Sequence, residues 1–378
     1  MSNIDLKQFV DINIKAHVTS TVTGIRDTVI LYTPEGELDT IKEFTSLSDV
    51  TYLKNTATYA YLKQYFDNGG VKVRVIEGIG YNNITKEMIT SLEDKYICIA
   101  CVIPVENKEE GYLAIKNLAV TMNADSNIYG INEKLLITST QVDIENLSQP
   151  DYSASVKNLI VKYSSVLGAE MTVAAYLSQI DIDEIDSVKD YAFTQEVLST
   201  TQDGNIWTVT SGENINTSDY MALQNVNMNV DVDLANAVRN CGGNCKDGSD
   251  IVNNFVRIIL HQTLTDQLVN LLAQKIKSTT GVSKLYTVIA QELERYLNCG
   301  YLTTDKVWTD NTLKITRNNI TYNIINKGDA LTNGYSIKIL PMTSLTPTEK
   351  AEHKAPPIYI IIADQYSIRK ITINGEVI

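Results

Sequence analysis

The sequence predicts an α/β fold, more fully an α/β (α+β) arrangement of two domains with extended strand arms at both ends. Strands that are apolar throughout alternate with helical segments along the first half of the chain, which is typical of a largely parallel sheet buried on both faces. After residue 249 the chain becomes strongly helical and then finishes in β structure. At 378 residues it exceeds what one hydrophobic core usually serves, so two domains are expected.

The alternation of strands and helices begins with an apolar strand at residues 28–33, closed by a turn at Pro34. Ser48 is then the expected N-cap of a helix that stops at Asn68-Gly69-Gly70. Further strands are predicted at residues 71–76, 96–103 and 134–138, and further helices at residues 86–93, 109–122, 153–167 and 169–178.

In the second half, Asp203-Gly204-Asn205 is the expected turn of a hairpin that leads into a strand at residues 206–210. Three apolar stripes at helical spacing follow between residues 249 and 300. The predicted closing strands are residues 312–316, 321–325, 335–340 and 356–362.

Both ends of the chain alternate between apolar and polar residues, which is the pattern of a strand. The apolar positions are Val10, Ile12 and Ile14 near the start, and Ile368, Ile371 and Ile373 near the end. An unpaired terminal strand leaves N–H and C=O groups without partners, and another molecule's sheet edge can supply them. We expect residues 10–18 and 368–378 to pair with sheets of other copies of the chain.

Charge is distributed unevenly along the chain, whose net charge is −13. Residues 251–378 contain 14 basic and 10 acidic residues, which leaves 18 basic and 35 acidic residues before them. This asymmetry argues against nucleic-acid binding and for an acidic outer part joined to a mildly basic inner part, although solubility alone would also explain it. There is no apolar run of membrane-spanning length and no signal-like start, so we expect no membrane insertion and synthesis in a cytoplasm.

The cysteines offer the one pattern that is common in metal sites. Cys98 and Cys101 form a C-x-x-C pair, and Cys241 and Cys245 could complete four thiolates around zinc. A spacing of three along a strand places Cys98 and Cys101 on opposite faces, so buried free thiols are the better interpretation. We therefore predict no metal and no disulfide.

No other segment of the sequence carries a catalytic pattern. Gly78-Ile79-Gly80 follows a strand but lacks the third glycine of a dinucleotide loop. The three histidines, His17, His261 and His353, are scattered, and the acidic run from Asp181 to Asp186 lacks the order of a calcium loop. We predict that the chain is not an enzyme and needs no cofactor.

Four segments resemble the tail sheath proteins of contractile phages and related R-type bacteriocins. They are the helix, Phe-x-Asn-Gly-Gly turn and strand of residues 58–75; residues 242–248 before the long helix; residues 281–302; and residues 334–338 with residues 355–360 and the closing strand. The family's tyrosine- and valine-rich opening is replaced here by residues 5–10, and its large outward insertions are absent.

The resemblance implies a structural subunit of a virion tail, assembled in a host bacterial cytoplasm. Such subunits stack as rings around an inner tail tube, between baseplate and terminator proteins, and contract to drive the tube through a cell envelope. The predicted parts are an N-terminal arm (1–22), an outer α/β domain (23–205), an inner tube-proximal domain (206–355) and a C-terminal strand and arm (356–378). The basic residues Arg257, Lys275 and Lys277 are the predicted tube-facing positions.

Two other functions remain open at this point. One is another tail structural protein, such as a tube or baseplate component, and the other is an α/β enzyme with an accessory helical domain. The absent catalytic pattern argues against the enzyme. Electron microscopy separates the three, because sheath subunits polymerise into wide tubes.

Overall fold

The computed structural model of the chain describes residues 28–124, 134–202, 206–274 and 278–365. These residues form a mixed α/β fold, as the sequence predicts. The predicted terminal arms, the turn at residues 203–205, and Lys275 and Lys277 lie outside them. The terminal arms therefore stay predictions.

The strands and helices follow in the order of the chain. The strands are β1 (Val29–Tyr32), β2 (Ile41–Phe44), β3 (Val73–Ile76), β4 (Cys98–Cys101), β5 (Leu135–Thr140), β6 (Leu159–Tyr163), β7 (Leu198–Gln202), β8 (Ile206–Thr210), β9 (Asn229–Leu234), β10 (Ala237–Cys241), β11 (Lys306–Val307), β12 (Leu313–Arg317), β13 (Ile320–Ile325), β14 (Ala330–Leu331), β15 (Tyr335–Ile339) and β16 (Ile358–Ile362). The helices are α1 (Ala57–Asp67), α2 (Lys86–Thr90), α3 (Lys108–Ala124), α4 (Pro150–Ser153), α5 (Met171–Ser178), α6 (Thr217–Asn225), α7 (Ile251–Ala273), α8 (Ser278–Asn298) and α9 (Pro347–Ala351).

Eight strands form one sheet in the order β10-β9-β6-β5-β4-β1-β3-β2. The six inner strands are parallel, whereas the two edge strands, β2 and β10, run antiparallel to their neighbours. β1 lies in the middle, with Val29 opposite both Val73 and Cys98, and all four of its residues are buried. Continuous apolar strands of this kind fit only a sheet that is covered on both faces.

Two apolar cores cover the two faces of this sheet. One face packs against α1, α5, α7 and α8, and the other packs against α2, α3 and α6. Along β1 the side chains alternate between the two cores, with Val29 and Leu31 in the first and Ile30 and Tyr32 in the second. The helices therefore form a layer on each side of the sheet.

The longest helix, α7, is buried along most of its length. Asp250 caps its N-terminus by accepting a hydrogen bond from the Asn253 backbone N–H at 2.8 Å, and Phe255 and Ile259 lie in the first core. Helix α8 returns alongside it and ends before Gly300, as the sequence predicts. Within the described ranges, no helix combines the length and apolar character needed to cross a membrane.

The Asn-Gly-Gly turn after α1 requires its glycines. Gly69 has a φ of +82°, a left-handed conformation that favours glycine. A Cβ on Gly70 would lie 2.4 Å from the ring of Tyr65, on the preceding helix. The turn therefore brings the chain back against α1 before it enters β3, which confirms the helix, turn and strand predicted here.

Two side-chain amides, one on α1 and one just after it, form hydrogen bonds beside β7 of the kind that a neighbouring strand would form. Gln64 is buried, and its amide accepts from the Ser199 N–H at 3.1 Å and donates to the Ser199 carbonyl at 2.6 Å. One helical turn later, the Asn68 amide makes the same pair of bonds with Val197, both at 2.8 Å. Residues four apart on a helix and two apart on a strand have similar spacing, so the amides satisfy one edge of β7.

The structure corrects the predicted helix at residues 153–167. Helix α4 ends at Ser153, Asn158 has a left-handed φ of +55°, and the chain then enters β6. Leu159 to Val161 are fully buried between β5 and β9, where the apolar run satisfies both faces of the sheet. The predicted N-cap at Ser48 is also wrong, because a 3-10 helix occupies Leu47–Leu53 and Thr56 caps α1.

The sheet crosses the predicted boundary between residues 205 and 206. Strands β9 and β10 follow that boundary in the chain, yet β9 pairs with β6, with Lys162 opposite Asn229. Helices α7 and α8 likewise share the first core with β1 and β4. The proposed outer and inner domains therefore share a sheet and a core, and their positions in a particle stay a prediction.

We predict that Gln64→Ala lowers the free energy of unfolding by roughly 1–3 kcal/mol, because the buried N–H and C=O of Ser199 lose their partners. Urea unfolding followed by circular dichroism measures the change. Gln267→Ala is the matched control, since Gln267 is exposed on α7. Equal losses in the two variants would contradict the role assigned to the α1 amides.

Candidate functional site

The hairpin of β15 and β16 is a two-stranded sheet to which no third strand pairs among the described residues. Its register places Ile337 opposite Ile360, and its inner ladder is fixed by bonds from Leu340 N–H to Pro357 C=O at 3.0 Å and from Ala363 N–H to Gly334 C=O at 2.7 Å. Because hydrogen-bonded pairs alternate in an antiparallel ladder, the backbone groups of Ile337 and Ile360 point away from the hairpin.

The same alternation turns the backbone groups of Ile339, Ile358 and Ile362 outward. In the part of the chain that the structure describes, no hydrogen bond to these outward groups is found. All five residues of β16 are apolar or aromatic and only half-buried. An apolar strand with an open edge is a template for pairing with another strand.

The hairpin is firmly attached to the rest of the fold. The side chains of Tyr335, Ile337 and Ile360 pack against the first core, and the Tyr335 hydroxyl donates to Glu294 of α8 at 2.8 Å. On the other face, Ile361 packs against the small apolar cluster around Ile325 and Leu331. A strand added to this hairpin would therefore be coupled to the core through α8.

The last described residue, Gln365, lies beside the start of α7. Gln365 donates its N–H to the Tyr301 carbonyl at 2.8 Å, and Asn253 of α7 donates to the Gln365 carbonyl at 3.0 Å. The predicted arm positions lie outside the described residues: Val10, Ile12, Ile14, Ile368, Ile371 and Ile373. Hydrogen bonds to Tyr301 and Asn253 therefore hold Gln365 in place.

Of the predicted tube-facing residues, the structure describes only Arg257. It lies on α7, half-buried, and its Nε atom is enclosed without a hydrogen-bond partner. Burial raises the pKa of Tyr301, the charge of Asp364 adds to the rise, and the charge of Arg257 opposes it. Lys275 and Lys277 lie outside the described residues, so the structure brings no pair of the three together.

The charged residues near the end of α8 are engaged within the chain. Arg295 donates to Glu292 at 2.8 Å and to Asp183 at 2.6 Å, so it joins α8 to the acidic run before residue 187. Burial alone would lower the pKa of Arg295, but the two carboxylates outweigh burial and raise it. Asp183, which belongs to the acidic run, therefore forms an ion pair within the chain.

The carboxyl ends of the parallel strands form the edge at which open α/β sheets bind ligands, where chain order reverses. In this sheet β1 lies between β3 and β4, and the chain order reverses at β1. Glu35 follows β1, and its two carboxylate oxygens accept hydrogen bonds from the N–H groups of Ala57 and Thr58 at 3.1 and 3.2 Å. A helix N-terminus favours a bound anion, so the chain's own carboxylate occupies the place of a ligand phosphate.

A second contact closes the same edge. The hydroxyl of Tyr61, on α1, accepts a hydrogen bond from the Ile103 N–H after β4 at 2.9 Å. Gly78, in the segment that lacks the third glycine of a dinucleotide loop, has a φ of +78° and passes so close to Leu38 that a Cβ would lie 2.5 Å from the Leu38 Cα. Sequence reasoning missed Glu35, because nothing in the motif around it links it to α1.

The cysteines are placed as the strand argument predicts. Cys98 belongs to the first core and Cys101 to the second, on opposite faces of β4. All five cysteines are free and buried. Burial raises the pKa of Cys245 to about 12 and that of Cys241 to about 11, so these thiols stay protonated near neutral pH. Within the described ranges, no three His, Cys, Asp or Glu residues are grouped to hold a metal.

Comparison with solved structures identifies the fold. One chain of the cryo-EM structure of the anti-feeding prophage (AFP) baseplate matches with a TM-score of 0.64 at 14% identity, covering 97% of both chains. The AFP helical sheath in its contracted state matches with a TM-score of 0.61 at 15% identity and the same coverage. The contracted sheath complex of an extracellular contractile injection system, PVC, gives 0.63 at 12% identity, covering 97% of this chain and 96% of that one.

These matches define the class of fold. The chain has the fold found in the sheath structures of contractile injection systems, over nearly its whole length. This confirms, at the level of the fold, the resemblance to contractile tail sheath proteins inferred from four short segments. No protein-family model matches the chain, and no curated protein does.

We predict that Glu35→Ala lowers the free energy of unfolding by about 1–2 kcal/mol, because two N–H groups at the start of α1 lose their anionic acceptor. Chemical denaturation measures the loss. Glu37→Ala is the control, since Glu37 is exposed in the same loop. If the two variants unfold at the same midpoint, the carboxylate of Glu35 does not stabilise α1.

Proposed function

We propose that this chain is the structural subunit of a contractile sheath, which polymerises as stacked rings around an inner tube and contracts to drive the tube through a target envelope. The observation that supports this most is the β15–β16 hairpin with two open edges, in a chain that has a sheath fold. The subunit's main partner is then another copy of itself. Further partners are the inner tube and the baseplate and terminator proteins at the ends.

In this proposal the terminal arms are the donors and the hairpin is the acceptor. Residues 10–18 and 368–378 alternate between apolar and polar side chains, and each edge of the hairpin presents unpaired backbone groups at every second residue. A main-chain ladder tolerates rotation of the domains that it links, because the flanking residues absorb the change. Contraction is then a rigid-body rearrangement of subunits that stay connected.

A baseplate subunit is the second candidate, because one of the matching chains comes from a baseplate structure. Both candidates use the same fold, but a sheath subunit extends into long tubes, whereas a baseplate subunit closes as a single ring. An enzyme is the third and weakest candidate, since Glu35 fills the edge of the sheet at which a ligand would bind.

We predict that the full-length protein forms wide tubes in negative-stain electron microscopy and that removal of residues 368–378 abolishes them. The truncated protein should remain a folded monomer by circular dichroism and size-exclusion chromatography, because both cores that cover the eight-stranded sheet are built from residues before 366 in the described part of the chain. On the donor side, Ile371→Pro should act in the same way, because proline cannot donate to a ladder.

A matched pair of proline substitutions tests the acceptor. Ile360→Pro removes an outward N–H and leaves the inner ladder of the hairpin intact, whereas Tyr359→Pro removes an inner one. We expect Ile360→Pro to block polymerisation of a stable monomer and Tyr359→Pro to destabilise the monomer itself. Tubes of normal length from the truncated protein or from Ile360→Pro would refute strand exchange at this hairpin, and single rings would favour the baseplate.

We predict that charge reversal of Arg257, Lys275 and Lys277 to glutamate weakens co-assembly with the tube and changes its salt dependence, because rim charges set register and association rate. Co-sedimentation with tube protein at two salt concentrations measures the effect. Lys275→Glu with Lys277→Glu should suffice, and Arg257→Glu alone tests the half-buried position on α7, where the Nε atom is enclosed. Unchanged co-sedimentation of the double variant would remove this segment from the tube interface.

A further inference from the structure

A fully buried ionic cluster lies between the sheet and the segment that follows α5. The ammonium group of Lys162, on β6, lies 2.9 Å from Asp231 Oδ1 on β9 and also contacts a carboxylate oxygen of Glu196. It donates to Thr172 Oγ1 at 2.6 Å and to the Tyr191 hydroxyl at 3.0 Å. Tyr191 in turn donates to the other oxygen of Glu196 at 2.5 Å.

The cluster has one positive group and two acids. The side chains of Lys162 and Asp231 are 0% exposed, and that of Glu196 is 3% exposed. Among the described residues, the other titratable groups that face Asp231 are the Tyr191 hydroxyl and the Cys241 thiol, and neither supplies a second positive charge. A second ionised carboxylate would therefore be buried without a compensating cation, and such a group binds a proton instead.

The directions of the pKa shifts agree with this count. Burial, and then the charge of Glu196, raise the pKa of Asp231 well above its ordinary value, and Lys162 only partly opposes them. Burial would lower the pKa of Lys162, but Asp231 and Glu196 outweigh it and keep the lysine charged. The neutral form of the cluster is one ammonium, one carboxylate and one carboxylic acid.

The segment that carries Tyr191 and Glu196 covers the edge strand β10. Phe193 donates its N–H to the Asn240 carbonyl at 2.7 Å, Asn240 donates to the Thr194 carbonyl at 3.0 Å, and Glu196 donates to the Val238 carbonyl at 2.9 Å. These bonds satisfy the outer edge of β10, which would otherwise be open to another chain. The same residue, Glu196, thus joins the edge cover to the buried cluster.

We propose that the Asp231 and Glu196 carboxyl groups share one bound proton beside Lys162, and that this proton fastens the segment around residues 191–196 over the edge of the sheet. Loss of the proton leaves a net negative charge in the core, which loosens the segment and exposes β10. The device responds to rising pH and is independent of the proposed sheath function.

The sign of the pH dependence follows from the raised pKa of Asp231. Its contribution to stability is complete below the ordinary value of 3.8 and is lost as the pH rises through the folded-state value. Asp231→Asn replaces the carboxylic acid by an uncharged side chain of the same shape. The folding equilibrium constant of the wild type, divided by that of Asp231→Asn, should therefore fall by about tenfold per pH unit over that window.

Urea unfolding of the two proteins between acidic and alkaline pH measures this ratio. Asp310→Asn is the control, since Asp310 is exposed, and its ratio to the wild type should stay constant. If Asp231→Asn does not fold, Glu196→Gln takes its place, because a single lysine–aspartate pair needs no bound proton. A ratio that is flat with pH for the substituted cluster overturns the proposal.

Two further measurements observe the proton and the edge directly. Over the pH range in which the stability ratio falls, the infrared difference spectrum of the wild type minus Asp231→Asn should contain the C=O stretch of a protonated carboxylic acid. Above that pH range, hydrogen exchange at the amides of Glu196 and Asn240 should be faster in the wild type than in Asp231→Asn. The absence of the acid band, or equal exchange in the two proteins, contradicts the proposal.

Discussion

The rest of the structure depends on one constraint, which is that the parallel strands are apolar on both faces and must be covered on both. β1, β4 and the start of β6 have no polar side that could face water, so two helical layers are required. This constraint also draws α7 into the interior, where its sequence carries only Arg257 and Asp266 as charged residues. Because α7 is buried for most of its length, contacts with other molecules must be made mainly by residues outside this core.

Polar groups at the carboxyl edge of the sheet are used to close the fold. Besides Glu35, the buried Lys108 donates to the carbonyls of Ser164 and Val166, which follow β6. At the opposite edge, the buried Lys134 donates to the carbonyl of Tyr96 at 2.7 Å. These three side chains are thus bonded to backbone groups of the chain itself.

The sequence predicts those elements whose periodicity is simple and whose ends are marked by turn or cap residues. β1, β3, β4 and α8 are of this kind, since an apolar run or stripe ends in each case near a glycine, proline or asparagine. β6 was missed because its apolar run is short, and length is what separates a buried strand from a helix of the same composition. β9 was missed because its sequence NVDVDL contains acids, one of which, Asp231, is buried only because Lys162 is beside it.

The functional features were less predictable than the fold, because they depend on contacts between distant residues. The open edges of the hairpin follow from the pairing of residues 335–339 with 358–362, and no local pattern gives that register. Glu35 and the α1 amides Gln64 and Asn68 act on backbone groups remote in sequence, so their residue types alone do not indicate their roles. The four segments that resemble sheath proteins, in contrast, occur along this chain in the same order as in that family. The fold that they indicated is confirmed by the solved sheath structures.

The alternation of backbone groups along β16 limits how an added strand can be positioned. Ile358, Ile360 and Ile362 offer outward groups at intervals of two residues, so a docking strand can shift only in steps of about 6.6–6.8 Å. A shift of one residue would turn its apolar side chains to the wrong face. In the proposed strand exchange, the distance between two linked copies would therefore be limited to a few discrete values, so a long polymer would keep a constant repeat.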